Sequence, residues 1–161
     1  MPRVDSKNCY GCAACSLICP VNAIQMVENA EKFFVIQIDE SKCINCGKCL
    51  QVCPLKFNHK NQVLTSYAGY STDGSILKQS SSGGMFGSFA KYLFNSNTNV
   101  KVFAVKNDLG KVVYEICTDY RELKQFYKSK YCQAFLNKAF YERLISAISN
   151  AAVCLLIGTP C

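Results

Sequence analysis

One cysteine run, written twice, governs what this chain can fold into. Cys9-Tyr10-Gly11-Cys12-Ala13-Ala14-Cys15-Ser16-Leu17-Ile18-Cys19-Pro20 is matched 34 residues later by Cys43-Ile44-Asn45-Cys46-Gly47-Lys48-Cys49-Leu50-Gln51-Val52-Cys53-Pro54. Both copies read C-x2-C-x2-C-x3-C-P, and together they use eight of the twelve cysteines in 161 residues. The stretch from Met1 to Pro20 holds Arg3, Asp5 and Lys7 and no unbroken apolar segment, so no secretory signal is expected. Without export a disulfide framework is improbable, the clustered thiols read as metal ligands, and the cytoplasm is the expected compartment. No stretch approaches the roughly 18 consecutive apolar residues of a membrane helix.

The spacing selects the metal. Structural zinc wants one tetrahedral set, typically two C-x2-C pairs separated by a longer loop. Two complete four-cysteine runs, each closed by Cys-Pro, fit a pair of [4Fe–4S] clusters instead, and the chemistry they imply is electron transfer. In ferredoxins with two such clusters, the cysteine before proline serves the other cluster. One ligand set is then Cys9, Cys12, Cys15 and Cys53, and the other is Cys43, Cys46, Cys49 and Cys19. Gly11 and Gly47 allow close backbone approach, although each stands at a different place in its loop. Leu17, Ile18, Ile24, Ile44, Leu50 and Val52 are candidates to shield the clusters from water. Between the runs, Ala23–Val27 and Phe34–Ile38 are β-prone and flank a polar turn, which predicts a hairpin. Residues 1–60 therefore read as an α+β ferredoxin-like 2[4Fe-4S] domain whose small core makes metal part of the fold.

Composition shifts after the polar connector Asn58–Gln62. Val63–Ser71 reads as extended. Ser80-Ser81-Ser82-Gly83-Gly84 leads into a helix over Met85–Phe94, with a serine as N-cap and Met85, Phe86, Phe89, Tyr92 and Leu93 at apolar spacing. Strands are predicted over Val100–Val105 and Val112–Cys117 around an Asn107–Gly110 turn, and Asp119 is placed to cap a helix over Glu122–Phe126. A further helix spans Ala134–Ser149 with Phe135, Ala139, Leu144, Ile145 and Ile148 on its apolar side. Ala152–Ile157 is a continuous apolar run, the pattern of a strand buried on both faces. Such a strand needs cover on both sides, so residues 61–161 read as an incomplete α/β domain, the front part of a larger one.

The net charge is +7, with 11 Lys/Arg against 6 Asp/Glu beyond residue 60. No run of five or six basic residues occurs, so neither a nucleic-acid nor a membrane partner is indicated. His59 is alone in the connector. Cys117, Cys132 and Cys154 read as buried apolar residues.

Residues 67–161 resemble the beta subunit family of coenzyme F420 hydrogenases and dehydrogenases. The likeness is carried by Ser80–Gly84 opening a helix, by Lys128-Ser129-Lys130-Tyr131 with Gln133, and by Ile157-Gly158-Thr159-Pro160-Cys161 ending a strand. The resemblance implies FAD between the clusters and a two-electron acceptor, coenzyme F420 in archaeal members. A flavin is what joins one-electron carriers to hydride chemistry. It also implies that Ser82, Gly83 and Gly84 offer backbone N–H groups to a phosphate or flavin oxygen. Lys128 and Lys130 are available to neutralise cofactor phosphates, and Cys161 is available as a redox or cluster ligand.

The expected function is thus an iron–sulfur flavoprotein oxidoreductase subunit. Its expected partners are a redox protein or a hydrogenase or dehydrogenase subunit, and a flavin or deazaflavin. The alternatives are a stand-alone ferredoxin-type electron carrier and an inactive fragment that still binds clusters.

Overall fold

In a computed structural model of the protein, the described residues are 4–56 and 65–158. The 60/61 boundary, His59 and Thr159-Pro160-Cys161 lie outside them. Contacts divide the chain into two units. The first gathers the described residues up to 56 together with Phe135–Glu142, and the second gathers residue 65 to Ala134 with the residues from Arg143 onward. That a segment so late in the chain joins the cysteine module was not legible in the sequence.

In the first unit, the repeated runs end in two short helices, α1 (Ala14–Ile18) and α2 (Lys48–Gln51), which pack on each other. Strands β1 (Ile24–Glu28) and β2 (Phe34–Ile38) form the expected antiparallel hairpin, with Ile24 opposite Ile38 and Met26 opposite Ile36. Asn29 closes its turn: its side-chain carbonyl accepts from the Glu31 and Phe33 amides at 3.0 and 2.9 Å. Period-two alternation puts Ile24, Met26, Ile36 and Ile38 on one face. That face joins Val4, Leu50 and five of the cysteines in a small core.

The second unit holds a three-stranded sheet in the order β4-β3-β5, formed by β3 (Val100–Asp108), β4 (Lys111–Cys117) and β5 (Val153–Leu156). β3 and β4 are an antiparallel hairpin through Leu109 and Gly110, both at positive φ, a turn whose twist matches the strands it joins. β5 runs parallel to β3, with Val102 opposite Leu155. Val100, Val102 and Ala104 of β3 meet Ala90, Leu123, Phe126 and Tyr127 in the core. Those partners come from α4 (Met85–Ser96) and from a 3-10 segment, Tyr120–Phe126, with Tyr127 as its C-cap; the segment is entered through Asp119, whose carboxylate accepts from the Arg121 amide.

Four sequence expectations are corrected here. The α4 N-cap is Gly84 in a left-handed conformation, not a serine. Its buried side is set by the small residues Gly87 and Ala90, with Phe86 and Leu93 flanking, whereas Met85, Phe89 and Tyr92 are exposed. Close approach of the helix to its neighbours selects small residues at the contact, which a hydrophobicity pattern does not register. Helix α5 starts later, at Lys138–Asn150, and buries Phe140, Leu144 and Ala147 while Ile145 and Ile148 face outward. β5 is an edge strand with Leu156 exposed, not one buried on both faces. Helix α3 (Gly74–Gln79) was not foreseen, although Asp73-Gly74-Ser75 is its cap: the Asp73 carboxylate accepts from the Ser75 and Ile76 amides.

Candidate functional site

The two cysteine loops follow the same backbone path. Each carries two left-handed residues at matching places: Gly11 (φ 69°) and Ala13 (φ 58°) in the first, Asn45 (φ 55°) and Gly47 (φ 72°) in the second. Glycine thus occupies one matched position in one loop and the other position in its repeat, with Asn45 and Ala13 taking the same torsions without it. Alternating left-handed residues turn successive amide groups toward one side, which suits an anionic cluster. Ala13 and Gly47 are also the N-caps of α1 and α2.

Each loop edges a cavity. One is lined by Cys9, Cys12, Cys15 and Cys53, with Val4, Ala13, Ile36 and Leu55 supplying apolar walls. The other is lined by Cys19, Cys43, Cys46 and Cys49, with Val21, Ala23, Ile24, Ile38 and Ile44. Measured out to their mouths they enclose about 350 and 410 Å³. Three thiols of each set come from one run and the fourth from the other run. Among the described residues, no three His, Cys, Asp or Glu side chains converge tightly enough for a single metal ion. The four thiols of each set line open space instead.

Two amide groups already point at cysteine sulfur: Gly11 N–H at Cys9 Sγ and Ala23 N–H at Cys19 Sγ, both 3.3 Å. Burial, then the neighbouring Cys12 and Cys9, pushes the metal-free Cys15 thiol up to about 12, and burial raises Cys12 as well. Four thiolates in an apolar hollow repel one another unless a cationic centre sits among them, and four soft sulfur donors in each set are the donor type an iron–sulfur cluster takes. Of the residues expected to shield the clusters, Ile24 and Ile44 line a cavity and Leu50 packs beside the cysteines, but Ile18 and Ile44 are themselves exposed. Val4, Ile36 and Ile38, which the cysteine runs do not include, provide much of the shielding.

A third and larger cavity belongs to the second unit, about 890 Å³ out to its mouth. Its wall brings together Ser80–Gly84, Met85 and Phe86 at the start of α4, Phe126–Lys130, and Ile157 beyond β5. The Ser81 hydroxyl latches two of these segments, accepting from the Ser129 amide at 2.8 Å. Beneath the loop, the Ser71 amide donates to the Gly83 carbonyl at 2.6 Å and the Ser88 hydroxyl donates to that of Ser71. A Cβ on Gly83 would stand 2.8 Å from the Gly69 carbonyl oxygen, so that position is held for glycine by contact.

Lys130 is half-buried, and its ammonium is engaged by its own loop. Its ammonium donates to the Phe126, Tyr127 and Lys128 carbonyls at 2.9, 2.7 and 3.0 Å, which closes the loop on itself, and burial lowers its pKa. Lys128 is exposed at the rim, at positive φ. Cys117 is buried, as expected, but Cys154 is only half-buried and Cys132 is exposed. Cys161 lies outside the described residues. No helix among the described residues is long and apolar enough to cross a membrane.

Comparison with known proteins agrees with both halves. Residues 8–57 match the 4Fe-4S dicluster domain. Residues 66–140 match the N-terminal part of the coenzyme F420 hydrogenase/dehydrogenase beta subunit. No curated protein matches the chain. The chain thus joins a 4Fe-4S dicluster domain to a segment similar to the N-terminal part of the coenzyme F420 hydrogenase/dehydrogenase beta subunit.

Proposed function

We propose that this chain relays electrons between two [4Fe–4S] clusters and a flavin-linked two-electron acceptor, coenzyme F420 or a similar molecule. In this reading Cys9, Cys12, Cys15 and Cys53 hold one cluster, and Cys19, Cys43, Cys46 and Cys49 hold the other. The observation that carries it is the pair of four-thiol cavities, each built from both runs. When bound, the clusters supply one-electron carriers and FAD converts between single electrons and a hydride. The protein's own part is to exclude water with Ile24, Ile36 and Ile38 and to aim amides at sulfur, which tunes the potential.

The flavin half of the proposal rests on the third cavity. Its lining sets the polar Ser80–Gly84 backbone beside apolar walls at Met85, Phe86 and Ile157, the mix a cofactor site uses. Gly84 has no side chain to cap α4, so first-turn N–H groups remain for an anionic group, with Ser82 and Gly83 beside them.

Anaerobic reconstitution tests the whole reading. About eight iron atoms per chain are expected, with a paramagnetic signal on reduction and retained FAD. Zinc alone, or no reducible centre, refutes it. Eight irons without flavin leave the cluster assignment standing and favour the stand-alone carrier.

A further inference from the structure

The two cysteine loops share a sequence pattern and a backbone path, yet they are covered very differently. In the first loop Gly11, Ala13, Cys15 and Ser16 are buried. Their matched positions in the second loop are Asn45, Gly47, Cys49 and Leu50, and none of these is buried. Cys15 is 7% exposed and Ala13 1%, whereas their counterparts Cys49 and Gly47 are half-buried and Asn45, Cys46 and Lys48 are exposed; only the second residue of each loop, Tyr10 at 52% and Ile44 at 61%, is exposed in both.

The cover over the first loop has identifiable sources. Val4 comes from the N-terminal segment and lines the Cys9-bearing cavity while itself 9% exposed. Tyr141, from the late segment that groups with this unit, donates its hydroxyl to the Cys12 carbonyl at 2.5 Å. Phe135 of the same segment packs at a tilt against Phe34 with ring centroids 4.7 Å apart, and Lys138 donates to the Asn22 side chain at 2.8 Å, so the segment is held at three points.

We propose that the two cluster sites have different roles: the Cys19/Cys43/Cys46/Cys49 site is the outer port, where electrons pass between this protein and an external one-electron carrier. The Cys9/Cys12/Cys15/Cys53 site is the inner station, kept from solvent by Val4 and Tyr141. Electron exchange falls steeply with separation, so an exposed loop admits a partner's redox centre where a covered loop holds it off. At the port one electron leaves the reduced site and one is taken up by the acceptor, with no bond made or broken and no proton moved. This inference rests on the cluster reading above, because it assigns roles to two sites that must both be filled.

The test uses the full chain, reconstituted anaerobically, with Cys46→Ala and Cys12→Ala as single-site references for the electron paramagnetic resonance signal of each cluster. Reduced protein is mixed with ferricyanide, an impermeant one-electron acceptor, and the two signals are followed by freeze-quench. In the single-site variants, where no second cluster can pass electrons on, the outer cluster alone (Cys12→Ala) should be oxidised faster than the inner one alone (Cys46→Ala). Adding Tyr141→Phe should narrow that difference by speeding the inner site alone. Equal rates in the two loaded variants, or an inner site that reacts first, overturn this proposal while leaving the clusters in place. Failure to load iron overturns the cluster reading itself, and this proposal falls with it.

Discussion

Replacing Lys130 by methionine keeps the length of the side chain and removes all three donors that close the Phe126–Lys130 loop. The ammonium sits 2.7–3.0 Å from three carbonyl oxygens, so its donor capacity is fully used. A net hydrogen bond contributes about 1 kcal/mol, and bonds to a charged group rather more. Against this, the carbonyls near the rim recover water when the loop opens, and burial of the ammonium carries a desolvation cost that its lowered pKa records. The balance is about 2 kcal/mol, or roughly a 30-fold shift in the closed-to-open equilibrium of the loop. Hydrogen exchange read by mass spectrometry on peptides covering 126–131 should show amide exchange faster by about that factor in Lys130→Met. The Ser129 amide, which donates to Ser81, should lose protection with them. Lys128→Met is the control, since that side chain is exposed and should change exchange little. If the two variants behave alike, Lys130 is not the clasp and the reasoning fails.

Other outcomes follow from single contacts. Gly87→Ala should destabilise the second unit by about 1–2 kcal/mol, because overpacking outweighs the helix-propensity gain; thermal unfolding checks it. The new Cβ would stand 2.7 Å from Ile76 Cγ2 and 2.9 Å from the Tyr127 hydroxyl. Gly47→Ala meets nothing within 4 Å yet must hold φ +72°, so it should cost about 1–2 kcal/mol of torsional strain, visible as easier loss of iron to a chelator. Asp73 is held well below the usual carboxylate range, first by the Lys91 ammonium at 2.6 Å and then by Ser75. Its depressed folded pKa means its stabilisation is present at neutral pH and lost as the pH falls through and below about 4. Wild type and Asp73→Ala should therefore converge on the acid side in a pH series of melting temperatures, and a constant gap would contradict the pairing. In metal-free protein the Cys12 and Cys15 thiols are raised and protonated at neutral pH, so cluster assembly should release protons and slow on acidification. A pH-stat during anaerobic reconstitution measures both.

The cysteine loops were legible because their chemistry is written locally, in spacing. The grouping of Cys53 with Cys9 came from the two-cluster pattern, and it required no knowledge of the hairpin. The hairpin itself was legible from alternation. What the sequence did not disclose depends on individual side-chain contacts. Tyr141 over Cys12, Ser129 on Ser81 and Lys130 on its own loop have no periodic signature. The faces of α4 and α5 were misread for a related reason. Gly87, Ala90 and Ala147 mark the close contacts, while the large apolar residues Phe89, Tyr92, Ile145 and Ile148 were left outside. Helix α3 was missed because six residues are too few for a period, although its Asp73 cap was in plain view.

The exchange of glycine between matched positions of the two cysteine loops has a consequence for how such loops are sought. Backbone handedness, not residue type, is the shared template: Ala13 and Asn45 accept what Gly47 and Gly11 accept more easily. A search demanding glycine at one fixed offset would find one half of this protein and discard its twin.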